Sequence, residues 1–389
     1  MSDPVEPPAS APSRSSRSRS TAASDTGLDP YDAVVLVSFG GPEKPDDVMP
    51  FLENVTRGRG IPRERLEKVA EHYLLFGGRS PINDQCRMLL AALAGELADR
   101  SIAVPLYWGN RNWDPYLFDA FAQMHADGHR RVLALMTSAY PSYSSCRQYR
   151  ENLYDAAEGT SIRVDRLRHY AHHPSFVAAS VKATSAALEE LGEAADGARL
   201  VFVTHSIPIP MAQTAGPPPK SADGGYVDWH EAVQQAVTAE VNRLRGASYE
   251  SDLVYCSRSG PPAQPWLEPD VNDHLRDLAE QGVRSVVTVP IGFISDHLEV
   301  IFDLDTEARQ TAADLGIQFA RAATAGTDPA FVSGLVDLLL ERARAARGSL
   351  IEPPVMPGGT VGRYECLPNC CPNLRQLDRP ALCQSRSAL

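Results

Sequence analysis

His205 stands directly after the apolar run LVFVT, with Ser206, Pro208 and Pro210 behind it. An imidazole at the carboxyl end of a strand, held by a proline-stiffened loop, is placed for acid–base work or metal contact near neutral pH. The same position also suits a structural histidine that donates to a loop carbonyl. A second polar group lies at Ser295-Asp296-His297-Leu298-Glu299. Glu299, Asp303 and Glu307 are spaced four apart, so a helix here carries a carboxylate ridge. Stacked like charges destabilise a helix unless cations or solvent screen them. The ridge is therefore either a path for a hydrated divalent cation, which carboxylate and imidazole both bind, or a solvated acidic face. His297 belongs to no HExxH pattern, which gives zinc-protease chemistry no support.

Two further segments carry recognition chemistry. Tyr140, Tyr143 and Tyr149 cluster beside Arg147 and Arg150, and aromatic rings with guanidinium groups suit a flat anionic aromatic ligand or, equally, a partly buried loop. The run NVTRGRG places Arg57 and Arg59 on a glycine-rich turn able to reach carboxylates. No P-loop, no GxGxxG after the first strand and no nucleophile elbow is present, which weakens nucleotide-dependent and serine-hydrolase readings. Of seven cysteines, Cys366, Cys370, Cys371 and Cys383 crowd into the last 24 residues, whereas Cys86, Cys146 and Cys256 are scattered. Such a cluster in a large non-secreted protein suggests metal or iron–sulfur ligation before disulfides.

These residues need a frame. Short β-rich runs at 33–39, 102–107, 131–137 and 162–167 alternate with helical patterns at 83–98 and 115–125. A second series of runs, at 200–204, 253–257, 283–290 and 317–320, alternates with helical patterns at 176–191, 228–245, 271–281 and 330–346. Alternation of this kind implies βαβ units and parallel sheets buried on both faces. The expected fold is α/β: two flavodoxin-like (Rossmann-like) domains, each with a parallel four-stranded sheet, facing a central cleft. The domains are 31–170 and 171–350, preceded by a disordered tail at 1–30 and followed by a cysteine-bearing tail at 351–389. In open parallel sheets ligands bind beyond the carboxyl ends of the strands. The loops from Ser38, Thr137, Thr204 and Val289 are therefore expected to converge on the cleft.

With 389 residues, 43% hydrophobic and 22% charged, the chain has apolar material for two cores. A net charge of −12 argues against general nucleic-acid binding. No apolar run approaches the ~20 residues of a transmembrane helix, and the Ser/Pro/Ala-rich start lacks a secretory h-region, so a cytoplasmic location is expected.

Taken together, the segments resemble ferrochelatase, the family that inserts ferrous iron into a porphyrin. The resemblance is carried by LVSFGGPEKPDDVMPFLENVTRGR, GGRSPIN, YPSYSSCRQY, THSIP, SRSGPPAQPWLEP and PIGFISDHLEVIFDLD, in the family's order across 31–344. It implies a porphyrin and Fe²⁺ as substrates. His205 and Glu299 match the paired metal- and proton-handling residues, with Asp303 and Glu307 as a relay. Ser80 and Tyr149 match porphyrin contacts, and His72 and Tyr73 match another contact region. Phe39 falls where some members have a tyrosine that ligates product iron, a contact Phe cannot make. The propionate-contacting arginine is displaced, with Thr56 beside Arg57, which leaves Arg57 as the nearest counterpart. The tail is similar to that of actinobacterial members that use coproporphyrin III. It implies a [2Fe–2S] cluster held by Cys146, Cys366, Cys370 and Cys371, with Cys383 as a substitute for one of the adjacent pair, while a structural zinc or free thiols remain alternatives. Downstream haem-pathway enzymes are the implied partners. Three other readings share parts of this pattern: a cobalt or nickel chelatase, a porphyrin carrier or sensor without turnover, and an iron–sulfur electron-transfer protein.

Overall fold

The computed structural model describes residues 27–216, 224–260 and 263–384. Most of the expected leading tail, residues 1–26, and most of the proline stretch after Gly216 lie outside the described residues. Order is already present before Tyr31: the Leu28 side chain is fully buried, and its carbonyl accepts the Tyr31 N–H at 2.8 Å.

Eight named strands form two sheets among the described residues. They are β1 (Ala33–Ser38), β2 (Leu106–Asn110), β3 (Arg131–Met136), β4 (Arg163–Arg166), β5 (Arg199–His205), β6 (Ser251–Cys256), β7 (Ser285–Val289) and β8 (Gln318–Arg321). The order is β2-β1-β3-β4 in the first sheet and β6-β5-β7-β8 in the second, and every pairing is parallel. The central strands β1 and β7 are buried at every position, as a sheet covered on both faces requires. The expected two-sheet α/β architecture is therefore present. One strand is displaced: the apolar run at 102–107 predicts a strand that begins at Leu106 instead, because the chain first descends from the helix Ile82–Asp99 through Ile102.

Helices cover both faces. Ile82–Asp99, Pro174–Leu191, Gly225–Arg245 and Pro329–Ala346 share one core that includes Leu36, Leu135, Phe202, Val287 and Phe331. The opposite faces are closed by Leu117–Ala126 and Gln148–Ala157 on the first sheet, and by Val271–Glu280 and Arg309–Asp314 on the second. Fully burying one such side chain contributes about 1.5–3 kcal/mol, so this shared core binds the two sheets strongly. The helix Pro329–Ala346 starts on a side-chain cap, Asp328 Oδ1 accepting from Ala330 N at 2.9 Å. It also reaches across to the first half, where Arg168 donates to Glu341 at 2.7 Å and Arg100 to Asp337 at 2.6 Å.

Beyond that helix the tail returns over the first half. Met356 N–H bonds the His172 carbonyl at 2.9 Å, Leu382 N–H bonds the Arg150 carbonyl at 3.1 Å, and Arg147 donates to the Arg379 carbonyl at 2.6 Å. Tail and loop 137–149 are thereby brought together.

Candidate active site

In both sheets the strand order reverses between the first and third strands, which opens a crevice at their carboxyl ends. His205 is the last residue of β5 and sits in that position. Its Nδ1 lies 2.5 Å from the Ser206 carbonyl oxygen. A carbonyl only accepts, so Nδ1 carries a proton, and in the neutral ring Nε2 is the nitrogen with the lone pair. Nε2 faces Glu299 Oε2 at 3.8 Å, with His205 about one-third exposed and Glu299 about one-half. The two sequence readings of this histidine thus coexist: the carbonyl bond orients the ring and leaves a basic nitrogen toward the crevice.

The strand behind His205 is held by a polar network that sequence reasoning missed. Thr204 Oγ1 is 2.9 Å from both Tyr226 OH and His230 Nε2, and Tyr226 OH donates to the His205 carbonyl at 3.0 Å. Burial lowers the His230 pKa to about 3, so this imidazole stays neutral. The signal lay in Tyr226 and His230, four residues apart and hence on one face of the helix Gly225–Arg245. Gly292 lets the next loop lie directly on Thr204, since a β-carbon there would come 2.2 Å from Oγ1 and 2.8 Å from the Thr204 Cα.

Glu299 begins a helical rod made of Leu298–Val300, a π-helical stretch Ile301–Ala308 and Arg309–Asp314. The spacing predicts a helix here; its π winding is not legible in it. Asp303 is the most perturbed carboxyl of the ridge: burial raises its pKa to about 7, with Glu299 and Glu307 adding like-charge repulsion and a Ser257 hydroxyl bond opposing. Burial also raises Glu307, which His72 partly offsets. His72 stacks on Phe302 at 3.9 Å, so it sits over the ridge. Tyr73 is buried in the adjoining cluster against Phe51, 5.9 Å between ring centroids. Its phenol is pushed upward by burial and then by Glu299. His297 is lowered by burial, and Asp296 is held by Arg321 at 3.1 and 3.2 Å.

The first half contributes shape and rings. Phe39 follows β1 and meets Phe51 edge-on at 6.3 Å. Arg111, at the end of β2, lies over Phe39 at 5.4 Å and over the buried Tyr149 at 5.2 Å, and its Nε has no hydrogen-bond partner. Ser80 is buried beside Gly41, where a β-carbon would meet Ser80 Cβ at 2.7 Å. Arg57 is exposed on the turn after the helix Val48–Val55. Arg147 and Arg150 do not join this wall. Arg147 pairs with Glu151 at 3.2 Å and Arg150 is fully buried against the tail, while Tyr140 stacks on His230 at 3.7 Å.

The same loop carries Cys146 on a π-turn, Tyr143–Arg147. Cys146 meets Cys366, Cys366 meets Cys370, and Cys370 Sγ is 3.8 Å from Cys371 Sγ. A left-handed backbone at Cys371, φ 52°, brings the two consecutive sulfurs together. Hydrogen bonds from Cys146 and Cys370, and then Arg166, hold the Cys366 thiol well below its usual range despite burial. Cys383 points its thiol at the Val164 carbonyl, 3.5 Å away, and burial pushes it up to about 11. Cys86 and Cys256 are buried in the body. Among the described residues no set of three or more His, Cys, Asp or Glu is arranged to hold a metal ion.

Comparison with known proteins identifies the family. The sequence signature of the family described as ferrochelatase matches residues 31–343. A protein of Streptomyces griseus named coproporphyrin III ferrochelatase is 53% identical over 353 residues, covering 88% of this chain and 94% of its own. One of the same name from Streptomyces coelicolor is 52% identical over 362 residues, covering 90% and 96%. Among solved structures, SirB from Bacillus subtilis with Fe³⁺ covers 82% of this chain and 97% of its own at 12% identity and a TM-score of 0.46, a likeness too loose to add to the argument. With the signature spanning both sheets and relatives matched over nearly their whole length, this chain belongs to the ferrochelatase family.

Proposed function

We propose that this protein inserts Fe²⁺ into coproporphyrin III in haem biosynthesis, releasing two protons. The observation that carries this reading is His205: Nδ1 is committed to the Ser206 carbonyl, and Nε2 is turned to Glu299, 3.8 Å away. A free-base porphyrin holds two pyrrole N–H protons that must leave as the metal enters. His205 Nε2 accepts a pyrrole proton, and Glu299 receives protons or holds the partly hydrated ion. Asp303 and Glu307 continue from Glu299 along the rod as a relay to solvent. Phe39, Tyr149, Ser80 and Arg57 bound the ring, with His72 and Tyr73 beside the ridge. A cleft that bends the macrocycle exposes its nitrogen lone pairs, a distortion worth about 1–5 kcal/mol. Coproporphyrin III as substrate is supported by the names of the Streptomyces relatives.

We further assign Cys146, Cys366, Cys370 and Cys371 as ligands of a [2Fe–2S] group, with Cys383 left aside. Four soft sulfurs suit such a group, as do the Arg166 guanidinium 2.9 Å from Cys366 Sγ and the Gly216 N–H 3.1 Å from Cys371 Sγ. When bound, the group supplies one-electron redox chemistry. The chain's own residues here join the tail to loop 137–149, whose other end bears Tyr149. Residues 31–170 and 171–350 form the two chelatase domains and 351–389 the cysteine tail. Seven cysteines outside any disulfide suit a reducing compartment, and we place the protein in the cytoplasm, handing its product to a later haem-pathway enzyme. No helix among the described residues is long and apolar enough to cross a membrane.

The test is anaerobic iron insertion followed by absorbance, with coproporphyrin III and protoporphyrin IX offered separately. Wild type is expected to metalate coproporphyrin III faster, and His205→Ala to lose about 10²–10⁴-fold in rate. Tight porphyrin binding without metalation by wild type would identify a carrier. Faster insertion of cobalt or nickel than of iron would identify a different chelatase.

A further inference from the structure

Buried arginines surround the tail, and most are paired with a carboxylate. Arg147 meets Glu151 at 3.2 Å, Arg168 meets Glu341 at 2.7 Å, and Arg342 meets Asp165 at 3.2 Å. Arg150 and Arg166 are different. They are 0% and 1% exposed, and neither forms an ion pair with a carboxylate among the described residues. Arg150, in the helix Gln148–Ala157, gives Nε to the Leu382 carbonyl at 2.7 Å, and both its Nη atoms are buried without a partner. Arg166, ending β4, gives Nη1 to the Leu167 carbonyl at 2.9 Å and Nη2 to the Arg363 carbonyl at 2.8 Å and to Cys366 Sγ at 2.9 Å.

A guanidinium does not shed its proton in a protein, so burial leaves two full positive charges in a medium that penalises them. The partners within electrostatic reach are sulfurs: Cys366, Cys371 and Cys383 for Arg150, and Cys146, Cys366 and Cys383 for Arg166. A [2Fe–2S] group on four thiolates carries two negative charges when oxidised and three when reduced, and its potential follows its net charge and the hydrogen bonds to its sulfurs.

We propose that Arg150 and Arg166 are the counter-charges of the iron–sulfur group, positioning residues that match its two negative charges and set its reduction potential; this rests on the cluster assignment above. Arg166 orients the Cys366 sulfur. The free Nη donors of Arg150 are the ones left for the group itself, which explains a fully buried arginine with two unsatisfied nitrogens. Both residues lie on the first half of the chain while three of the four ligands lie on the tail. The charge match therefore also fastens the tail to the body.

The full-length chain is purified without oxygen as wild type, Arg150→Met, Arg166→Met and Arg150→Lys. Iron and acid-labile sulfide per chain, the visible spectrum and the reduction midpoint are measured, with circular dichroism as the folding control. The expected result is that folded Arg150→Met either loses iron and sulfide or shifts its one-electron equilibrium at least tenfold toward the oxidised form, about 59 mV lower. Arg150→Lys, which keeps the charge, is expected to retain the group within about threefold of the wild-type equilibrium. Wild-type content and midpoint in both Met variants would overturn the counter-charge role and leave the cluster assignment standing. So would loss of the group from folded Arg150→Lys as complete as from Arg150→Met. A wild type without iron and sulfide would overturn both.

Discussion

The two sheets have the same strand order, yet their carboxyl-end loops carry different chemistry. At the end of β5 and after β7 stand His205, Glu299 and Asp303, an imidazole beside two carboxyls, of which burial raises Asp303 to about 7. After β1, β2 and β3 come Phe39, Arg111 and Tyr149, a packed wall in which a guanidinium lies against two rings. The lesson is that a repeated βαβ frame fixes where side chains converge and leaves what they do to the loops. One half gathers ionisable groups at its strand ends, and the other gathers aromatic rings and a guanidinium.

The division is tested most strongly by paired variants. Glu299→Gln should lower kcat for iron insertion by about 10²-fold and leave the porphyrin KM within about threefold. Ser80→Ala should do the reverse, raising KM while kcat stays within about threefold. Steady-state kinetics with coproporphyrin III separates the two. A Ser80→Ala enzyme that loses kcat as heavily as Glu299→Gln would end the distinction between the halves.

Equivalent glycines give a smaller contrast. A β-carbon at Gly292 meets Thr204 Oγ1 at 2.2 Å and the Thr204 Cα at 2.8 Å, whereas at Gly41 it meets the Ser80 and Ile82 side chains at 2.7 and 2.9 Å. Thr204 is fixed within β5 and by its bonds to Tyr226 and His230, whereas Ser80 stands in the turn before the helix Ile82–Asp99, where the chain yields more easily than in a strand. Gly292→Ala should therefore destabilise the protein by about 3 kcal/mol, and Gly41→Ala by about 1 kcal/mol with a raised porphyrin KM. Denaturant unfolding of both variants decides the matter, and equal losses would show the two loops to be seated alike.

Much of this was legible before any coordinates. Buried parallel strands write themselves as apolar runs, so β1, β3, β5 and β7 fall within a residue or two of expectation, and His205 is found simply by standing where LVFVT stops. What stayed hidden depends on contacts distant in sequence. Arg147 and Arg150 sit beside tyrosines in the chain, and only the returning tail shows that they donate to the Arg379 and Leu382 carbonyls. Thr204, Tyr226 and His230 join across two elements, and no periodicity announces a hydrogen bond between them. The π winding of Ile301–Ala308 is likewise set by packing, because the same four-residue spacing serves an ordinary helix.

The smallest effect is the one most particular to the second half. Asp303 has a folded pKa of about 7 against an ordinary 3.8 because burial disfavours its charge. Its folded pKa is raised, so it favours folding fully below about pH 4, and that contribution is lost as the pH climbs through 7. Asparagine cannot ionise and can still accept the Ser257 hydroxyl bond, so Asp303→Asn removes the loss without breaking the contact. The variant should therefore out-melt wild type by more near pH 8 than near pH 5, the gap widening by about 1–3 kcal/mol, a few degrees in Tm. Thermal melts across that range measure it directly. A gap that does not change with pH would make Asp303 an ordinary solvated carboxylate and leave Glu307 as the one ridge carboxyl raised by burial. The second half would then be distinguished by the contact between His205 and Glu299 instead of a graded row of proton sites.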